Sequence, residues 1–193
     1  MHRLSTSFIL GYHGCSTATA KLLLKGDAFQ ASENDYDWLG HGVYFWEANP
    51  LRGLHFYQGA QKRKEHSGRD GTVVGAVIDL GFCLDLLSST GIETVRTAYA
   101  DLKAIADQAS APMPVNTHGG LLRNLDCAVI NHLHESRKDA RLDGFDTVRG
   151  MFDEGKPAFT GSGIAAKAHI QIAVRSLSCI KGVFRVPREH LAE

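Results

Sequence analysis

The sequence predicts an α+β domain, and three observations lead to this fold class. Segments with the alternating or β-branched and aromatic content of strands lie near both ends of the chain, whereas helical segments are gathered between them. Strands and helices do not alternate as a regular βαβ repeat, so a doubly wound parallel sheet is not expected. With 193 residues, 44% of them hydrophobic and 22% charged, the chain suits one domain with a full core, spanning residues 1–193.

The clearest local signals lie at helix ends. Ser16 and Thr17 offer an N-cap for a helix that Gly26 ends, and Asn49 followed by Pro50 is typical of the cap and first turn of another. In chain order the predicted elements are strand 7–12, helix 18–25, strand 42–46, helix 50–65 ending at Gly68, strand 72–86 with an interruption around Gly81, helix 89–109, helix 121–135, and strands 144–149, 169–175 and 180–186.

Composition distinguishes the remaining elements. β-Branched and aromatic residues predict the strand over 42–46, and apolar alternation predicts the last two strands of the chain. The segment 89–109 is amphipathic at helical spacing, and Pro112 and Pro114 separate it from the next helix. The polar, irregular stretch 27–40 is expected to be a loop.

Charge and composition argue against several classes of function. The 21 basic and 21 acidic side chains cancel, whereas a strongly electrostatic nucleic-acid binder would show a basic excess. No apolar run approaches the length of a membrane span, and the run at residues 8–10 is too short for a signal-peptide core. The sequence holds neither a Gly-rich dinucleotide fingerprint nor a Walker A motif.

The cysteines and histidines predict neither a metal centre nor a disulfide framework. The ten histidines show no HExxH-like pairing, and the cysteines lack CxxC or zinc-ligand spacing. We expect reduced thiols in a cytoplasmic protein without a metal site. The four cysteines are Cys15, Cys83, Cys127 and Cys179.

The strongest functional signal comes from two glycine-containing motifs. The His13 imidazole can offer one donor and one acceptor to a ribose hydroxyl, and Gly14 would let a ligand approach the backbone closely. The Tyr44 ring can stack on a flat ligand. A structural histidine and an aromatic hairpin packed in the core would each explain one motif taken alone. The motifs are Tyr12-His13-Gly14-Cys15 and Leu39-Gly40-His41-Gly42-Val43-Tyr44-Phe45.

Together, in this order, the motifs resemble the two NAD-gripping strands of the ADP-ribosyltransferase family. The diphtheria-toxin and poly-ADP-ribose-polymerase branch, with its histidine, tyrosine and variable third residue, is the most similar. The resemblance implies a split β-sheet core with flanking helices, in which residues 89–135 would be a helical insertion. It also implies that NAD+ is the substrate and that the nicotinamide–ribose bond is the one broken.

The resemblance assigns catalytic roles to three residues. His13 would orient the adenine-side ribose, and Tyr44 would stack on the nicotinamide. The best match for the third position is Gln171 on a late strand, where relatives often carry Glu. Glutamine can hydrogen-bond the nicotinamide-side ribose, but it brings no charge to an oxocarbenium-like centre and cannot act as a general base. A glutamine on the surface of an edge strand is the alternative.

Further residues are expected near the donor. Ser32 and Asn34 lie in the loop that would cover it, and Arg149 could bind the pyrophosphate bidentately or form a structural ion pair, with Glu154 as its neighbour. Glu47 could supply the missing carboxylate or be a solvated residue. Cys15, at a helix N-terminus, could have a lowered pKa or serve packing. The expected NAD+-binding residues are His13, Gly14, Cys15, Ser32, Asn34, Gly42, Tyr44 and Arg149.

The acceptor of the ADP-ribose is not fixed by the sequence. The sequence around Ser32-x-Asn34 and Asp37-Trp38-Leu39-Gly40 also resembles that of a group of bacterial proteins with the ADP-ribosyltransferase fold. Small single-domain relatives act as intracellular toxins or in defence against phage, which implies a protein, RNA or DNA acceptor and a neutralising antitoxin protein. The alternatives are a catalytically inactive NAD- or ADP-ribose-binding module and an NAD glycohydrolase. The related tRNA 2′-phosphotransferase chemistry is disfavoured because its histidine and arginine set is not found.

Overall fold

A seven-stranded mixed β-sheet is the framework of the structure, a computed structural model that describes residues 8–63, 70–117 and 122–192. The strands are β1 (Ile9–Ser16), β2 (Val43–Glu47), β3 (Gly71–Ile78), β4 (Cys83–Asp85), β5 (Thr147–Phe152), β6 (His169–Val174) and β7 (Ile180–Arg185). The α-helices are α1 (Thr17–Leu23), α2 (Pro50–Arg63), α3 (Ser89–Gln108) and α4 (Asn124–Asp139). Across the sheet the order is β4-β5-β6-β2-β1-β3-β7, and only the β4–β5 pair is parallel among these strands. This architecture is compatible with the predicted α+β class.

The two predicted helix caps are confirmed. The Ser16 hydroxyl accepts a hydrogen bond from the Thr19 backbone N–H at 3.0 Å, and the Asn49 side chain accepts one from the Arg52 N–H at 3.1 Å. The first strand is longer than predicted, because its ladder with β3 continues as far as Ser16. His13 therefore lies inside a strand and not at its end.

The strand predicted over 144–149 is displaced to Thr147–Phe152. The backbone of Asp146 is already engaged outside this strand: its N–H donates to the Phe82 carbonyl at 2.8 Å, and its carbonyl accepts from the Arg175 N–H at 2.9 Å. The predicted ends at Glu65 and Gly68 and the helix start at Leu121 lie outside the described residues.

The sheet opens between the central strand β2 and its neighbour β1. Their ladder consists of two residue pairs, Gly11 opposite Glu47 and Tyr12 opposite Trp46. Beyond this point β1 stays paired with β3, and β2 stays paired with β6. The backbones of the two strands therefore separate at the level of His13, which lies next to Tyr12.

The two faces of the sheet carry separate cores. Phe45 and Ile172 lie on the face that packs against α1, here called the α1 face. Val148 and Ala173 lie on the face that packs against α3 and α4, here called the α4 face. Because side chains alternate along a strand, the register assigns every strand residue to one of these faces.

Helix α2 also packs on the α4 face, over β1. A Cβ added to Gly14 would stand 2.0 Å from the Gly53 carbonyl oxygen, and a Cβ added to Gly53 would lie 3.5 Å from the Trp46 ring. The helix backbone therefore leaves no room for a side chain at position 14, whereas a Cβ at Gly53 would make ordinary van der Waals contacts. Glycine is needed at position 14 because a helix backbone lies against it.

None of the helices in the described ranges has the length and apolar character needed to cross a bilayer. The four cysteines are free thiols. Among the residues that the structure describes, no three His, Cys, Asp or Glu side chains are grouped so that they could hold a metal ion.

Candidate functional site

His13 lies at the point where β1 and β2 separate. Its Nδ1 is 2.9 Å from the Tyr44 carbonyl oxygen, which can only accept, so Nδ1 carries the hydrogen. The ring packs edge-on against Phe29, with centroids 5.4 Å apart, and lies 5.7 Å from the Phe45 ring. Burial lowers the pKa of His13, although the Tyr44 hydrogen bond opposes the shift. The imidazole is therefore neutral near pH 7, and its Nε2 is an acceptor.

Tyr44 holds the turn that precedes its own strand. Its hydroxyl donates to the Gly40 carbonyl at 2.8 Å and accepts from the Leu39 N–H at 2.9 Å. Gly40 has a φ of 76°, which favours glycine. Burial raises the pKa of Tyr44 well above its ordinary value, so the hydroxyl stays protonated. With the hydroxyl engaged on both sides, the ring is the part of Tyr44 that can meet a ligand.

Gln171 is buried in the middle of a chain of side-chain hydrogen bonds. Its Oε1 accepts from the Trp38 indole N–H at 2.7 Å, and its Nε2 lies 2.9 Å from the Nε2 of His169. The His169 Nδ1 lies 2.7 Å from the Lys167 carbonyl oxygen. Gln171 is only 6% exposed and β6 lies between β5 and β2, so the alternative of a surface glutamine on an edge strand is wrong.

Sequence reasoning did not identify His169 as the hydrogen-bond partner of Gln171. The signal was present in the strand pattern, because residues two apart in a strand lie on the same face and His169 precedes Gln171 by two positions. Trp38 lies in the stretch 27–40 that is predicted as a loop, within the segment Asp37-Trp38-Leu39-Gly40. Its partnership with Gln171 joins positions 133 residues apart and has no local signal.

The structure brings two of the three predicted catalytic side chains to one face of the sheet. Tyr44 pairs with Ala173, and Trp46 pairs with Gln171, so Tyr44 and Gln171 both lie on the α4 face. The His13 ring lies on the α1 face, because its neighbour Tyr12 is opposite Trp46. His13 is joined to Tyr44 through the backbone and not through the Tyr44 ring. The three side chains are therefore not on one face, and His13 meets Tyr44 only where β1 and β2 separate.

Gly14 and Cys15 have structural roles in the described residues. The backbone of Gly53 in α2 lies where a Gly14 side chain would be, so the close approach at Gly14 is made by the protein itself. Cys15 belongs to the core on the α1 face, and burial raises its pKa to about 11. Of the two interpretations of Cys15, the packing role is the one that the geometry favours; a lowered thiol pKa was the wrong alternative.

The loop before β2 is tied to the strand by its own hydrogen bonds. Ser32 and Gly42 exchange backbone hydrogen bonds of 2.8 and 3.1 Å. The Asn34 amide donates to the Ser32 hydroxyl at 2.6 Å, and the Asn34 N–H donates to the Asp37 carboxylate at 2.9 Å. These bonds hold the loop so that Trp38 reaches Gln171.

Arg149 is engaged by carboxylates on the α1 face. Its Nε and Nη2 donate to the two oxygens of Glu47 at 2.6 and 2.9 Å, and Asp85 lies 3.4 Å from its Nη1. These bonds, the one to Glu47 foremost, raise the pKa of Arg149. Of the two interpretations of Arg149, the structural ion pair is therefore the one observed. Its partner is Glu47, whereas Glu154 pairs with Arg52 of α2 at 2.5 Å.

Two buried donors lie on the same side as Gln171. The indole N–H of Trp46 and the Nε–H of Arg52 have no acceptor within hydrogen-bonding distance among the described residues. The Trp46 ring is 6.4 Å from the His169 ring, and the Arg52 charge acts on His169. Buried donors are nearly always paired in native proteins. These two N–H groups are therefore free to donate a hydrogen bond to a water molecule or a ligand.

A cavity of about 380 Å³ lies on the other side of Trp38, between the loop and the α3–α4 pair. Val95, Tyr99 and Val129 form part of its mainly apolar wall. The Arg123 guanidinium lies 5.1 Å from the centroid of the Trp38 ring. Trp38 therefore separates this cavity from the amide of Gln171.

Comparison of the chain with protein-family models, with curated proteins and with solved structures found no match.

Proposed function

We propose that the chain is an NAD+-dependent mono-ADP-ribosyltransferase, which breaks the nicotinamide–ribose bond and transfers ADP-ribose to a macromolecular acceptor. The observation that carries the proposal is the opening between β1 and β2. His13 and Tyr44 border it from the two strands, and Gln171 lies on the next strand, on the Tyr44 side. These are the three residues to which the family resemblance assigns NAD+ contacts, on a split sheet with flanking helices.

The donor would be held by groups whose protonation states the geometry fixes. The Nε2 of His13 would accept a hydrogen bond from a ribose hydroxyl, because Nδ1 is used as a donor to Tyr44. The Tyr44 ring would stack on the nicotinamide, with its plane fixed by the hydroxyl bonds to residues 39 and 40. Gln171 would hold the nicotinamide-side ribose through the donor and acceptor sites that remain on its amide.

The chemical step would depend on orientation and fixed dipoles. Departure of nicotinamide leaves positive charge on the ribose, and Gln171 is neutral, so no carboxylate of the third position balances that charge. Dipoles held rigidly in a poorly hydrated site still favour the charge that develops. On the α4 face, the buried N–H groups of Trp46 and Arg52 would donate hydrogen bonds to acceptor atoms of NAD+.

The state of Gln171 favours one competing function, a non-catalytic NAD- or ADP-ribose-binding module. Its amide is neutral and bonded at both ends, so it can position a ribose without promoting bond cleavage. An NAD glycohydrolase would use the same contacts with water as acceptor. The biological setting proposed here is that of a cytoplasmic bacterial toxin or defence effector, which an antitoxin protein would neutralise.

The test is incubation of the purified chain with adenylate-labelled NAD+ and a cell lysate, followed by separation of protein, RNA and DNA. We expect nicotinamide release together with label in one fraction. Tyr44→Ala and His13→Ala should lower release by about tenfold to a thousandfold, the range for a lost transition-state contact. Ile105→Ala, at an exposed side chain on α3 that lines neither the opening nor the cavity beside Trp38, is the control and should leave release unchanged.

Each other outcome assigns a different function. Release without label identifies a glycohydrolase. NAD+ binding without release identifies the binding module. Full turnover by His13→Ala would overturn the role given to the imidazole.

A further inference from the structure

We propose that Trp38 and His169 are positioning residues that lock the side-chain amide of Gln171 in a single orientation, and that the lock exists only while His169 is neutral. The inference rests on the proposed function, in which Gln171 holds the nicotinamide-side ribose. It concerns two residues outside the three that the family resemblance assigns.

The orientation follows from the groups at the two ends of the chain of hydrogen bonds. An indole N–H can only donate, so the amide atom 2.7 Å from Trp38 must be the oxygen of Gln171. The amide nitrogen then lies 2.9 Å from the Nε2 of His169 and donates to it. The Lys167 carbonyl can only accept, so the His169 Nδ1 carries the hydrogen and Nε2 carries a lone pair. Both ends require the same amide orientation.

Protonation of His169 breaks this arrangement. A proton on Nε2 would face the NH2 group of Gln171, and two donors repel. Rotation of the amide by half a turn would satisfy His169 but would point the NH2 group at the Trp38 N–H. One of the two hydrogen bonds is therefore lost in either case, and Gln171 is no longer held from both sides.

The surroundings of His169 keep it neutral near pH 7. Burial lowers its pKa and Arg52 of α2 lowers it further, whereas the Lys167 carbonyl and Glu154 after β5 raise it. The rings of Trp46 and Phe152 that pack beside it are uncharged. The net effect is a pKa below the ordinary histidine value of 6.5.

The lock determines what Gln171 has left to offer. The amide has two N–H groups and two oxygen lone pairs, and the hydrogen bonds to His169 and Trp38 use one of each. One donor and one acceptor therefore remain, at fixed positions, which suits a pair of neighbouring hydroxyls as in a ribose diol. A carboxylate in this position would present acceptors only. A glutamine with a fixed amide would instead donate to one hydroxyl of the pair and accept from the other.

The structural part can be tested without any turnover. In protein labelled with 15N-histidine, the His169 ring should show a protonated Nδ1 and an unprotonated Nε2 at pH 7.5, and should keep this form below pH 6.5. The His169→Gln variant assigns the signals by their loss, and Trp38→Phe should alter the Nε2 shift. An Nε2-protonated form or a mixture of tautomers at pH 7.5 would overturn the proposal.

The catalytic part compares two substitutions at the same residue. His169→Gln keeps an acceptor that does not titrate, so nicotinamide release should stay near that of the native chain at pH 7.5 and decline less steeply in acid, where only His13 still titrates at the site. His169→Leu and Trp38→Phe should lower kcat by about tenfold to a hundredfold through misorientation of Gln171. His134→Leu, at a buried histidine on α4 without a bond to Gln171, is the matched control.

The two proposals fail in different ways. A native chain that releases no nicotinamide removes the proposed function, while the 15N spectra still decide whether the lock exists. Equal turnover of the native chain and His169→Leu, with thermal unfolding unchanged, would remove the positioning role and leave the transferase intact.

Discussion

Arg149 of β5 and Glu47 of β2 form a two-bond ion pair across β6, the strand that lies between them. The pair spans residues 102 positions apart, with N–O distances of 2.6 and 2.9 Å, and both side chains are less than a fifth exposed. It passes over the α1 face at the level of Ile172, which lies opposite Arg149 in the ladder. The contact joins two strands that share no backbone hydrogen bonds.

Removal of Arg149 should therefore reduce the stability of the fold more than it reduces the affinity for NAD+. Arg149→Met leaves Glu47 and Asp85 without their partner and should lower the free energy of unfolding by roughly 1–3 kcal/mol, as expected for a part-buried group left unpaired. The Arg149→Met/Glu47→Leu double variant should recover part of this loss. Urea unfolding of the native chain, the two single variants and the double variant measures the coupling free energy between Arg149 and Glu47. Titration with NAD+ should show little change in affinity. A large loss of NAD+ affinity at unchanged stability would support a pyrophosphate contact instead.

Substitution of Gln171 by Glu should produce a charged pair with His169. A carboxylate can accept from the Trp38 N–H, but it also needs a donor from the Nε2 of His169. The pKa of His169 should therefore rise. The stability that the pair contributes should be present below the ordinary histidine pKa while the carboxylate stays ionised, and lost as pH increases through the raised value.

The same substitution places a negative charge near the ribose, so nicotinamide release by Gln171→Glu should increase. The control is Gln171→Leu, which fills the site without polar atoms. The 15N shifts of His169 and the rate of nicotinamide release are the measurements. A neutral His169 in Gln171→Glu at pH 6 would contradict the expected pair.

Stability should decrease in mild acid because burial lowers the pKa of three histidines. These are His13, His134 and His169, and the pKa of His134 falls to about 3. Below the ordinary value of 6.5 the unfolded chain binds protons that the folded chain does not, so the free energy of unfolding falls as pH falls.

Urea unfolding at pH 7.5, 6.5 and 5.5 measures this slope. His134→Leu removes one titrating group and should make the slope shallower by about one proton. Identical slopes for the native chain and His134→Leu would show that His134 is not kept neutral by burial.

Gly14→Ala should destabilise the fold. The added Cβ would stand 2.0 Å from the Gly53 carbonyl oxygen, so α2 must move away from β1. For an overpacked contact of this kind, the free energy of unfolding should fall by about 1–3 kcal/mol. Gly182→Ala is the matched control in β7, where a Cβ meets nothing within 4 Å. Thermal unfolding compares the two. If Gly14→Ala kept its stability and lost only NAD+ affinity, the glycine would serve a ligand and not the helix.

The features that sequence reasoning predicted well depend on neighbouring residues. The Ser16 cap and the Asn49 cap each bond a backbone N–H three positions away, so the signal and its consequence lie in the same short segment. The break around Gly81 was also predicted, and β3 and β4 lie on either side of it. Gly81 has a φ of 57°, a conformation that glycine adopts readily.

The features that it missed depend on long-range pairing. His13 lies within β1 because β3, more than fifty residues later, continues the ladder. The burial of Gln171 follows from β6 lying between β5 and β2, and the partner of Arg149 is 102 residues distant. No local pattern contains this information, because register and strand order are set by the packing of the whole sheet.

The position of Trp38 and Trp46 makes the protein its own optical probe. They are the only two tryptophans in the sequence, and they lie on opposite sides of Gln171, one bonded to its amide oxygen and the other facing it in the ladder. Indole emission therefore originates almost entirely beside the candidate donor site. A change in its intensity or wavelength on addition of a nucleotide reports an event at this site or in the cavity that Trp38 also lines, without any attached dye.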